Sequence, residues 1–99
     1  MALLDDVKLA LRITSSAFDS EISDLIAAAR ADLIRAGVEP TRVNVDDVPL
    51  VRRAIIVYCK GNFGYDNPEA ERFLASYDLM RQELSLSSGY KVVSTDETP

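Results

Sequence analysis

The chain contains no histidine, no tryptophan and a single cysteine, Cys59, among its 99 residues. Without histidine there is no Ser-His-Asp or Cys-His nucleophile system, and the commonest metal ligand is missing. One cysteine excludes an intramolecular disulfide and a zinc site built on paired cysteines. Cys59 sits in an apolar helical run, where a free cysteine behaves as a small buried hydrophobe with no base to activate it. Long hydrophobic runs are also missing. The segment Ala54-Ile55-Ile56-Val57-Tyr58-Cys59 is far short of the roughly 20 residues that span a bilayer, and charge flanks it. Asp5 and Asp6, close behind Met1, fit no signal peptide, so synthesis and use in the cytoplasm, away from membranes, are expected.

Basic charge is in short supply. Eleven Lys and Arg stand against sixteen Asp and Glu, a formal net charge of −5. Binding to a nucleic-acid backbone needs a clustered basic surface, and here the densest pair, Arg52-Arg53, is diluted by nearby acids. A dedicated DNA-binding module is disfavoured; a surface that DNA slides past without sticking suits this balance better. Adjacent carboxylates such as Asp5-Asp6 and Asp46-Asp47 do not share a helix face and read as helix caps, not as an acid pair for catalysis. No catalytic residue, cofactor site or metal site is identified.

What the chain does have is helical periodicity. Its length fits one domain, which would bury about 60–65% of the surface that the unfolded chain exposes. A first helix is expected from about Asp5, as N-cap, to Arg12, with Leu4 stapled on Leu9. Ser16 and Asp19 resemble a capping box opening a second helix, whose stripe is Phe18, Ile22, Leu25, Ile26, Ala29 and Leu33; Gly37 is its C-cap. Residues 38–48 read as a loop. Pro49 fits the first turn of a third helix capped by Asp46 or Asp47. That helix carries Val51, Ala54, Ile55 and Tyr58 on its main stripe and further apolar residues around its cylinder, so it is central or covered by a partner. Residues 61–66 end it with two glycines. Asn67-Pro68-Glu69 then opens a fourth helix bearing Ala70, Phe73, Leu74, Tyr77, Met80 and Leu84. Ser87-Ser88-Gly89 stops it. The expected fold is therefore all-α: a small bundle of about four helices over residues 1–87, with a flexible C-terminal tail over 88–99.

The order of these motifs resembles the head–tail connector (adaptor) family of tailed bacteriophages. Val7-Lys8 with Leu11-Arg12-Ile13 is similar to that family's opening segment. Asp19, Ile22, Leu25-Ile26 and Ala28-Ala29 follow its second block, and Val51 to Tyr58 resemble its third, with an Asn-bearing loop before the last helix. The likeness runs from about residue 4 to 86. It implies a structural subunit, not an enzyme, that forms a homo-oligomeric ring in dodecameric register beneath the portal protein at the virion neck. Such a ring continues the DNA channel without sequence-specific binding, docks the tail or a stopper protein, and uses no cofactor. The other reading of these short helices is a small helical DNA-binding regulator.

A ring subunit needs two complementary surfaces that meet head-to-tail. Apolar residues off the main stripes are the candidates: Leu9, Ile34, Val57, Leu79 and Leu86, any of which is equally a singly exposed side chain of a small bundle. Phe63 and Tyr65 in the glycine-bearing loop are either aromatic anchors for a neighbour or caps on the core. Arg52, Arg53 and Arg72 are candidates for ion pairs between subunits, with Asp19, Asp24 or Glu71. Tyr90 and Val92 lie in an apolar patch of the tail that would order against the portal, by adding a strand to an exposed edge, or would remain without function.

Overall fold

The computed structural model describes residues 3–64, 67–87 and 89–91. Among these residues the fold is all-α, with helices α1 (Leu3–Leu11), α2 (Asp19–Arg35), the single turn α3 (Pro40–Val43), α4 (Pro49–Asn62) and α5 (Ala70–Leu86). A 3-10 turn, Ser16–Phe18, leads into α2. The expected fold class is confirmed.

Helix α4 is the centre of the bundle. Val51, Ala54, Ile55, Val57, Cys59 and Gly61 are all buried, which places apolar atoms on most of its circumference. A helix of this kind has to be covered on several sides. Helices α1 and α2 pack on it and on each other, while α5 folds back along it as an antiparallel hairpin. Val7 and Leu3 of α1 and Ile22, Ile26, Ala29 and Leu33 of α2 complete the core, with Tyr77 and Leu84 of α5.

Both α1 and α2 end in the same way. Gly37 has φ +109°; its N–H donates to the Ile34 carbonyl, and the Val38 N–H donates to the Leu33 carbonyl. This is a Schellman closure, and glycine is the residue that enters it without a Cβ clash. Helix α1 makes the same pair of bonds, Arg12 N–H to Leu9 and Ile13 N–H to Lys8, but with Arg12 in the left-handed conformation at φ 60°. Helix α1 therefore ends at Leu11, one residue before the expected Arg12, and it starts at Leu3, two residues before the expected Asp5.

Several caps differ from the expectation. Ser15, not Ser16, caps the 3-10 turn, accepting from the Ala17 N–H at 3.0 Å, and Asp19 instead pairs with Lys8 at 2.7 Å. Leu9 is 77% exposed, so no staple with Leu4 forms. Helix α4 starts on Pro49 with Val48 as an N-cap that lacks a side-chain bond. Asp46 turns away from α4 to accept from the Leu3 N–H at 3.3 Å, at the start of α1. Helix α5 opens at Ala70 with Glu69 as N-cap, so Asn67 and Pro68, expected to start it, lie in the turn before it. Asn67 Oδ1 accepts from the Glu69 N–H, and its Nδ2 donates to the Lys60 carbonyl at 2.7 Å, tying the end of α4 to the start of α5.

Gly61, expected to end α4, lies within it. A Cβ there would stand 2.8 Å from Leu74 Cδ2, 2.9 Å from Leu74 Cγ and 3.3 Å from Phe73 Cβ. The glycine is needed for close approach of two helices, not for a turn. Tyr90 and Lys91, expected to belong to a tail, are attached to the body. The Glu39 N–H donates to the Tyr90 carbonyl at 2.6 Å, and Lys91 forms an isolated antiparallel bridge with Val38.

Two substitutions test these readings. Gly61→Val forces Leu74 and the α5 backbone outward, and thermal or urea unfolding should show a loss of about 1–3 kcal/mol. Arg12→Gly relieves the left-handed backbone, and the same measurement should show a gain of up to about 1 kcal/mol.

Candidate functional site

The described residues hold no chemistry that would mark an active site. Burial pushes the Cys59 thiol up to about 12, so it is an inert core group. No cluster of three or more His, Cys, Asp or Glu able to hold a metal ion occurs among them. What the surface offers instead is exposed leucine and an ordered set of ion pairs.

The ion pairs stitch the helices together. Asp32 on α2 is the busiest group: it accepts from the Tyr77 hydroxyl at 2.7 Å, from Arg81 at 3.0 Å and from Arg35 at 2.8 Å. Burial opposes its charge, but these three donors outweigh it and hold the carboxyl below its ordinary value. Burial and the Asp32 charge together push the Tyr77 hydroxyl up. Arg30 donates to Asp46 at 2.5 Å and to the Val43 carbonyl at 3.1 Å, joining α2 to the turn before α4. That donation and the Leu3 N–H lower the Asp46 carboxyl as well. Arg52 of α4 pairs with Asp6 of α1, and Arg72 pairs with Glu69.

The expected interface residues divide accordingly. Leu79 and Leu86, on one face of α5, are 63% and 77% exposed, and Leu9 stands out from α1 to the same degree as Leu86. Arg53 is exposed. Val57 does not belong with them: at 3% exposure it is a core residue, because α5 covers that side of α4. Ile34 is half-buried against the core. Phe63 is half-buried and meets Phe18 edge-on, with centroids 5.5 Å apart, so it caps the core within the subunit. Arg52, Arg72 and Asp19 all have partners within the chain rather than being left for a neighbour. Tyr90 packs partly against the core, with the Arg42 guanidinium 5.8 Å from its ring centroid. Tyr65 and Val92 lie outside the described residues.

Three of these candidates converge. Arg53, Leu86 and Tyr90 line a groove of about 690 Å³ between the start of α4 and the end of α5, together with Leu50, Met80 and Glu83. Leu50, 56% exposed, is the residue that sequence reasoning missed. It lies seven residues before Val57 and so on the same helix face, which α5 covers at Val57 and leaves open at Leu50.

Exposed leucines and an apolar groove on the described helices have the makings of an assembly surface. A family model described as phage connector protein matches residues 3–91. The chain belongs to the phage connector protein family. The match includes Lys91, which forms a bridge with Val38. No curated protein and no solved structure matches the chain. As a phage connector it has a structural role, and no described helix is long and apolar enough to cross a membrane.

Because the Asp32 carboxyl is lowered in the folded connector, its contribution to stability is present above the ordinary carboxylate value of 3.8 and is lost as pH falls through the lowered value. Asp32→Asn should therefore cost about 1–3 kcal/mol near neutral pH, and the gap from the parent should narrow below about pH 4 in urea titrations. An equal gap at all pH values would show that the Asp32 charge is not what matters.

Proposed function

We propose that this connector is an adaptor subunit that forms a ring beneath the portal, in dodecameric register with it, at the head–tail junction. The ring continues the channel through which DNA passes and presents a surface for the tail or a stopper protein. The observation that carries this reading is the family match, which spans nearly the whole folded chain. Exposed Leu9, Leu50, Leu79 and Leu86 supply apolar area for assembly on a domain whose own core is small.

The charge distribution supports passage of DNA over capture of it. Lys8, Arg30, Arg35, Arg52, Arg72 and Arg81 are each paired with an acid of the same chain. Lys60 lies over the Phe73 ring at 4.8 Å, which leaves few uncommitted cations among the described residues. Counterion release from DNA needs several clustered ones, so a tight complex with duplex is not favoured. An acidic wall repels the phosphate backbone and keeps the strand moving.

The test is co-purification with the portal protein encoded beside it, followed by electron microscopy of the complex. A ring of added density under the portal is the expected outcome. Folded protein that shows no association with the portal at high concentration would overturn the adaptor reading.

A further inference from the structure

The groove between α4 and α5 has a charge pattern as well as an apolar floor. Arg53 stands on its α4 side and Glu83 on its α5 side, with Leu50 and Leu86 exposed between them. Neither Arg53 nor Glu83 has an ion-pair partner among the described residues, although most basic side chains of the chain do. The outward face of α1 carries an acid and a leucine that match it. Asp5 and Leu9 lie four residues apart on that face, and Arg12 follows just beyond the helix end, where its backbone is left-handed. Asp5 and Arg12 are likewise exposed and have no ion-pair partner among the described residues. Asp5 is thus suited to Arg53 and Leu9 to the apolar floor beside it, while Arg12, past the helix end, supplies a cation for Glu83.

Resting on the ring reading above, we propose that the occupant of this groove is α1 of a second copy of the same chain. The contact is Asp5, Leu9 and Arg12 of one subunit against Arg53, Leu50, Leu86 and Glu83 of the next. The two surfaces belong to different helices, so the contact is heterologous: every subunit offers one of each and propagates until the rotation closes. A groove-to-groove dimer, which could also pair Arg53 with Glu83 of the other copy, would leave the α1 face unused. The charges fix register and polarity, and the leucines supply the buried area.

Cysteine cross-linking reads the contact even when it is weak. The chain carrying both Leu9→Cys and Leu86→Cys, mildly oxidised at high concentration with and without the portal protein, should give a ladder of disulfide-linked multimers. Each single variant should give at most slow dimers, and buried Cys59 should stay silent. Adding Arg53→Glu should cut the ladder about tenfold, and adding Asp5→Lys to that chain should restore it. Dimers from Leu86→Cys alone that form as fast as the ladder would overturn the proposal in favour of a groove-to-groove contact. A ring imaged under the portal without a ladder would overturn this contact and leave the adaptor reading standing. Absence of both ring and ladder would overturn both.

Discussion

A fourteen-residue helix that is apolar on nearly every side is the constraint from which the rest of this molecule follows. Helix α4 can be dry only if other elements cover it, and a chain of 99 residues has few to spare. Helices α1 and α2 are laid against it, and α5 returns along it in a hairpin. The hairpin is tight at one end, where Gly61 lets Phe73 and Leu74 come within contact of the α4 backbone, and Tyr58 meets Tyr77 edge-on at 5.0 Å. At the other end it is open, and Leu50 faces Leu86 across a groove. The groove is a consequence of the packing: a helix pair drawn together at its glycine leaves its far end under-filled.

The polar layer obeys the same economy. Each ion pair between elements joins α2 or α1 to something else: Lys8 to Asp19, Arg52 to Asp6, Arg30 to Asp46, and Tyr77 with Arg81 to Asp32. Exposed pairs contribute little each, but those on Asp6 and Asp32 are largely shielded from water and set the relative placement of helices whose apolar faces alone would tolerate sliding. Committing basic residues to this task leaves an acidic surface.

How far the sequence disclosed this depends on the kind of signal. Helices α2 and α5 were legible because their apolar residues recur at helical spacing over seventeen residues, and Gly37 announced the end of α2 through its backbone freedom. Arg12 could not be read in this way, since its side chain gives no hint of a left-handed backbone; the two bonds that close α1 hold it there. Gly61 was misread because a glycine near a helix end serves equally as a stop or as a point of close approach, and only the partner helix decides. Asp46 was assigned to the nearer helix, whereas its contacts are to Arg30 and to Leu3, forty-three residues away in sequence. Among the interface candidates, periodicity separated Leu79 and Leu86 from the core correctly. It failed at Val57 and Leu50, which share a face, because coverage along one helix face changes from one end to the other.

The uneven coverage of α4 bears on why such a subunit would assemble. A fully covered α4 would leave a self-sufficient monomer with nothing to offer a neighbour. With Leu50 and Leu86 open, the same helix pair that stabilises the fold also leaves an apolar groove, and α1 turns Leu9 outward beside Asp5. Helix α1 is held to the body by Leu3, Val7 and the Asp6–Arg52 pair, so its outer face is displayed on a firm support and not on a loose arm. Rigid display lowers the entropy lost on association and makes the angle between neighbours reproducible. In the proposed ring that angle has to be the same at every contact, so the Asp6–Arg52 pair that fixes α1 on α4 would also bear on the number of subunits.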